Sequence, residues 1–84
     1  MKNKVLVEVI VPSIEKSYNV YIPISRKIGN ITILLNKAIF DLTNGVYTGN
    51  EKTCLYSVAD GNFYQPNLLL KDTDIRNGQK VILF

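Results

Sequence analysis

The sequence predicts an α+β domain: a mixed four- to five-stranded sheet with one main helix packed on one face. Three observations carry this reading. Two short β-branched-rich stretches bounded by prolines lie near the N-terminus, apolar residues recur at three- and four-residue steps over residues 28–42, and short apolar runs return after residue 54. The resulting order is β-β-α-β-β-β. The chain has 84 residues, against roughly 150 in a typical domain, so residues 1–84 are expected to form one domain around one core.

The elements follow in order. Lys4 to Val11 is rich in β-branched residues and stops at Pro12. Val5, Val7, Val9 and Val11 share one face; Leu6, Glu8 and Ile10 share the other. The all-Val face is the expected core face, because Glu8 belongs in water. Pro12 to Lys16 is a connector short enough for a hairpin. In the second strand, Ser17 to Ile22, the apolar residues Tyr18, Val20 and Ile22 alternate with Asn19 and Tyr21, and Pro23 ends it. Ile28, Ile31, Leu35, Ala38, Ile39 and Leu42 then predict a helix over residues 28–42, with Ser25 as N-cap and Asn44-Gly45 as its stop. Thr43 to Thr53 reads as a loop. Leu55 to Val58 is a short strand, Asp60-Gly61 a hairpin turn, Phe63-Tyr64 a short return strand, and Lys80 to Phe84 the last strand. The first and last strands are the natural parallel, central pair, since their apolar content suits burial on both faces.

Composition excludes several functions. The apolar fraction is 46% and the charged fraction 20%, which rules out a disordered or low-complexity chain. The chain has no His, so catalytic and metal sites built on imidazole are excluded. The single Cys54 excludes an intramolecular disulfide, a four-Cys zinc site and an iron–sulfur cluster. Cys54 has no His to activate it, and it reads as a small core residue despite the neighbouring Lys52. Asp72 and Asp74 read as turn caps rather than a catalytic pair. Arg26 and Lys27, at a helix N-terminus, oppose the helix dipole or join its amides in holding an anion. No enzyme activity, cofactor or metal is expected. Net charge is +3 with a pI near 9.1. The basic residues are scattered, which disfavours nucleic acid as a partner. Lys2, Lys4 and the apolar stretch after them look like a secretory signal, but Glu8 and Pro12 interrupt the stretch and no small-residue cleavage site follows. No apolar run approaches the ~18 residues of a membrane helix, so a cytoplasmic chain without membrane insertion is expected.

The segments Lys27-Ile28-Gly29-Asn30-Ile31 and Leu70-Lys71-Asp72-Thr73-Asp74-Ile75, the latter running through Gly78 into the final strand, carry a family resemblance. The first looks like the start of the ubiquitin helix, and the second like the Leu-x-Asp-x-x-Ile segment of ubiquitin-like β-grasp proteins. In physical terms, Leu70 and Ile75 plug one end of the core, Asp72 caps a short turn, and Gly78 supplies a positive φ. The sequence ends Val81-Ile82-Leu83-Phe84 with no Gly-Gly tail, so the resemblance does not carry over conjugation or sulfur transfer. Among relatives without the tail, the chain most resembles the small bacterial YukD/EsaB proteins. That resemblance implies a cytoplasmic accessory or regulatory factor of type VII secretion, with protein partners among the secretion components.

Two apolar surfaces are expected to bind a partner. Ile33 and Phe40 share a helix face nearly opposite the core stripe. Either the loop folds back over them through Val46 and Tyr47, or they meet a partner or a second copy of the chain. On the outer face of the sheet, Leu6, Tyr56, Ile82 and Phe84 should cluster. The resemblance places Tyr56, Ile82 and Phe84 at the patch through which ubiquitin is recognised. A non-conjugated interaction module is therefore the expected function. A small basic nucleic-acid-binding protein and a β-grasp subunit of a larger assembly stand as alternatives.

Overall fold

A computed structural model describes residues 3–84; Lys2, counted above in the signal-like N-terminus, lies outside the described residues. Strand β1 (Lys4–Val11) turns through a 3-10 segment (Pro12–Ile14) into β2 (Lys16–Pro23). Helix α1 (Ile28–Leu42) follows, then β3 (Leu55–Ser57), a second 3-10 turn (Leu70–Asp72) and β4 (Lys80–Leu83). Among the described residues the sheet has four strands in the order β2-β1-β4-β3. β1 runs parallel to β4 in the centre, as their apolar content predicts, and β2 and β3 lie antiparallel at the edges.

The inward alternation holds throughout. Val7, Val9 and Val11 of β1, Val81 and Leu83 of β4, Leu55 of β3 and Ile22 of β2 meet Ile28, Ile31, Leu35 and Ile39 of the helix, all buried. Leu70 and Ile75 close one end of this core, 0% and 1% exposed, as expected. Tyr47, from the loop after α1, closes the helix flank. Turn chemistry agrees at Asn44, Gly45, Gly61 and Gly78, all at positive φ. Glu15 also takes a left-handed φ of 54° to close the first hairpin, a conformation that costs a residue with a Cβ about 1 kcal/mol.

Four expectations need correction. The fifth strand is reduced to an isolated Tyr56–Phe63 bridge, because the chain leaves the sheet after Tyr64 and turns at Pro66 toward the helix. The helix start is not capped by Ser25. Lys27 occupies the N-cap without a side-chain cap, and the first amides are satisfied by backbone: Ile28 N–H donates to Leu68 O (2.8 Å) and Gly29 N–H to Pro66 O (2.9 Å). Asp72 is exposed and caps nothing; Thr73 does that work, its hydroxyl donating to Leu70 O (2.6 Å) and accepting from Ile75 N–H (3.2 Å). Ala38 and Leu42 fall on the helical apolar period but lie exposed: Ala38 sits on the helix flank one turn after Leu34, and Leu42, 63% exposed, lies beyond Ile39, the last residue α1 buries.

These positions separate core from surface sharply. Leu70→Ala should cost about 3 kcal/mol of unfolding free energy, as the deletion leaves a cavity. Leu42→Ala, on the same helical period as the core, should stay within about 0.5 kcal/mol. Urea unfolding of the two variants checks both.

Candidate functional site

The pleat turns the even residues of β1 and β4 to the outer face of the sheet, away from α1. The register then sets which of them meet. Ile82 stands opposite Ile10 on one side and Tyr56 on the other. Tyr56 in turn bridges to Phe63, ring centroids 6.5 Å apart in an edge-to-face arrangement. Ile10, Ile82, Tyr56 and Phe63 therefore form one row across three strands and the bridged segment. Phe84 extends the row at one corner. Its backbone is fixed by two hydrogen bonds, Phe84 N–H to Cys54 O (3.1 Å) and Cys54 N–H to Phe84 O (3.0 Å), while its ring stays 69% exposed. The next row toward the start of β1 is polar, with Glu8 opposite Lys80, and it bounds the patch.

Of the four sheet residues expected to cluster, the structure brings Tyr56, Ile82 and Phe84 together and leaves Leu6 out. Leu6 lies about 13 Å up β1 from Ile10, beyond the Glu8–Lys80 row. It is held under the loop before β4, donating its N–H to Asn77 Oδ1 (2.7 Å) and accepting at its carbonyl from Gly78 N–H (2.7 Å). Ile10 and Phe63 take its place. Alternation already put Ile10 on the outer face, but a patch membership depends on the β1–β4 register, which no local pattern displays.

The helix surface is settled in the same way. Ile33 is 67% and Phe40 46% exposed, and Val46 does not cover them, being exposed itself. Tyr47 instead turns beneath the helix flank and donates its hydroxyl to Asn36 Oδ1. The loop passes so close to Asn36 that a Cβ on Gly49 would lie 2.2 Å from its side chain. Ile33, Lys37, Phe40, Asp41 and Gly49 border a shallow groove of about 550 Å³. This surface points away from the sheet, opposite the outer-face patch.

The remaining candidates hold little chemistry. A cleft of about 580 Å³ runs between the first half of α1 and residues 49–55, with Cys54, Leu55 and Tyr64 on its wall. The Cys54 thiol is half-buried and donates to Lys52 O at 3.6 Å. Asp74 accepts from the Tyr64 hydroxyl (2.9 Å). Among the described residues no group of three or more His, Cys, Asp or Glu is placed to hold a metal ion. The anion reading of Arg26 and Lys27 is overturned, since the amides of Ile28 and Gly29 are already taken by Leu68 and Pro66. No helix of the described residues is long and apolar enough to cross a membrane.

No family model matches the chain, and no curated protein matches it. Solved structures do. A chain of the MycP5-free ESX-5 inner membrane complex (State II) superposes with a TM-score of 0.81 at 16% identity, over 98% of this chain. This chain spans about a fifth of that one, 21% of its length. The EccD5 ubiquitin-like domain from Mycobacterium xenopi matches with a TM-score of 0.79 at 17% identity, over 96% of this chain and 92% of that domain. The UBL domain of Plasmodium falciparum Dsk2 matches with a TM-score of 0.69 at 14% identity, over 95% of each chain. At these identities the likeness is one of fold: this chain has the ubiquitin-like β-grasp fold.

Burial pushes the hydroxyls of Tyr47 and Tyr64 above the usual tyrosine range. Each therefore holds its proton more tightly in the folded chain than in the unfolded one. Above about pH 10 the unfolded chain binds fewer protons, and stability falls as pH rises further; below that pH neither group contributes a slope. Urea midpoints measured from pH 8 to 11 should be flat and then decline, and the decline should be shallower in Tyr47→Phe.

Proposed function

We propose that this chain is a non-conjugated ubiquitin-like protein–protein interaction module that acts as an accessory or regulatory factor of a bacterial type VII-like secretion system, by docking and without chemistry of its own. The observation that carries the reading is the apolar row Ile10–Ile82–Tyr56–Phe63 with Phe84 at its corner, mounted on the central strand of a rigid sheet. Such a preformed surface loses little entropy on binding. Tyr and Phe rings bring large contact area, and Tyr keeps a polar tip for a wet rim. Two of the similar structures belong to the ESX-5 and EccD5 machinery of type VII secretion, which supports a secretion context, as does the resemblance to the YukD/EsaB proteins. The cytoplasm is the compartment that suits such a factor.

A second reading has its own observation. Because the chain matches about a fifth of a longer chain in a membrane-associated complex, it equally suits a β-grasp subunit of a larger assembly. Both readings use the same outer face.

The test is capture from a lysate of the native host with tagged wild type and with the Tyr56→Asp/Phe84→Asp variant. Wild type should retain a secretion ATPase or its associated membrane components, and the variant should lose at least about tenfold of that retention, as expected for a central aromatic contact. Phe84 is exposed, so Phe84→Asp alone should melt within a few degrees of wild type. Equal retention by wild type and variant would remove the patch from the mechanism. Retention of nothing but nucleic acid would replace the secretion reading with that of a basic binding module.

A further inference from the structure

Strand β2 is a sheet edge eight residues long, and its outer side meets no other strand among the described residues. The hydrogen bonds of its neighbour β1 reveal which backbone groups are left over. Glu8 N–H donates to Gln79 O and Leu6 O accepts from Gly78 N–H, so the even residues of β1 face β4. The odd residues of β1 therefore face β2, where Val7 stands opposite Val20 and Val9 opposite Tyr18. By the same alternation the N–H and C=O groups of Ser17, Asn19 and Tyr21 point outward from the edge, with no partner among the described residues.

We infer that this edge pairs with a second copy of the chain, β2 against β2, antiparallel about a two-fold axis at Asn19. Under that axis Ser17 meets Tyr21 of the second copy, Asn19 meets Asn19, and Tyr21 meets Ser17. All three are hydrogen-bonded positions, so every outward donor and acceptor between Ser17 and Tyr21 finds a partner. Pro23, which has no N–H to give, falls opposite Glu15 and outside the ladder. On the inner face Tyr18 meets Val20 of the second copy and Val20 meets Tyr18. Aromatic against β-branched is a favourable cross-strand pair, and both residues are half-buried in the single chain.

Two further features fit a second copy. The flank of α1 that carries Asn36 is tied to the loop leading into β3, through Tyr47 and Asn50. The opposite flank, with Leu34 at 51% exposure and Ala38, is turned to the β2 side of the sheet, since β3 lies at the other edge. An added strand would cover that flank. Lastly, a long edge without an interior proline, charge or bulge is the kind that pairs: the charge and the proline of β2 sit at its two ends.

The monomer supplies a discriminating variant. Asn19→Pro removes an N–H that the single chain does not use, at an edge position where proline is tolerated. Sedimentation equilibrium from about 10 μM to about 1 mM should show a monomer–dimer equilibrium for wild type. In Asn19→Pro the dissociation constant should rise at least about tenfold, with circular dichroism and melting temperature of the monomer retained. Amide exchange reads the same contact directly: protection of Ser17, Asn19 and Tyr21 should grow with concentration in wild type and not in the variant. Should Asn19→Pro unfold, Asn19→Lys, which keeps the amide but places like charges across the axis, carries the same expectation of weakened dimerisation. A wild type monomeric at 1 mM overturns the inference, as does a dimer that survives the edge variants and is broken by Phe40→Asp. Protection of the three amides solely on adding a different protein would likewise overturn it, since the edge would then take a foreign strand.

Discussion

The parallel pairing of β1 with β4 is the constraint from which the rest of this structure follows. It joins strands from opposite ends of the sequence, Glu8 beside Lys80 and Ile10 beside Ile82. A parallel pair cannot be closed by a tight turn. The chain between must cross the sheet, and α1 is the first part of that crossing, laid over the apolar side of β1. The second part, residues 62–79, has to return to the start of β4. It does so past the N-terminus of α1, where the carbonyls of Pro66 and Leu68 meet the amides of Gly29 and Ile28. That return explains why the helix needs no side-chain cap and why the amides of Ile28 and Gly29 are not free for an anion. It also drops Leu70 and Ile75 into the open end of the core.

Local pattern made much of this legible. The β1 boundaries were readable to the residue, because a period-2 run of valines ends at proline, and the span of α1 was readable from a helical period that ends at Asn44-Gly45, though not its N-cap. The central parallel pair was readable from apolar content. What was not readable shares one physical cause: it depends on where a distant segment lies. Ser25 is a good N-cap by type, but backbone from residues 66–68 reached the helix amides first. Phe63-Tyr64 has strand residues, but the crossing pulls the chain away after one bridge. Leu6 and Ile10 are equivalent on the strand, and a two-residue register with β4 decides that Ile10 belongs to the patch and Leu6 does not. Leu42 is equivalent to Leu35 and Ile39 on the helical period, yet it lies past the core that the strands provide, and Ala38 falls on the flank of the buried stripe.

Several of the exposed apolar residues fall on three surfaces facing different ways: the outer face around Ile82, with Phe63 and Phe84; the helix back, with Ile33 and Phe40; and the β2 side, with Tyr21 and Leu34. Each arises where the four-stranded sheet and single helix run out of partners of their own. A sheet with a helix on one face leaves the other face bare, and a four-strand order that places the long β2 outermost leaves eight residues of edge. The short β3, by contrast, is three residues long and shielded by the Phe63–Tyr64 segment, with Tyr64 N–H donating to Leu55 O and Ser57 N–H to Asn62 O. Of the two edges, the one left open is the one long enough to use.

The proposed edge pairing and the proposed face docking are compatible, and the pairing geometry would let the first amplify the second. A two-fold axis at Asn19 runs perpendicular to the sheet, so both helices stay on one side of an eight-stranded sheet and both outer-face patches on the other. The strand sequence from one β4 to the other is β4-β1-β2-β2-β1-β4, five spacings, which sets the two Ile82 positions about 24 Å apart across the strands and about 13 Å apart along them. Two equal docking rows on one rigid surface suit a partner that is itself two-fold symmetric. The second engagement is then intramolecular, and overall affinity can exceed that of one patch by about 10²-fold or more without any new contact. A weak patch of three half-buried side chains and two exposed rings would be sufficient for stable docking on such a partner. It would be insufficient on a lone monomeric target, so the edge strand would set which assemblies the outer face can hold.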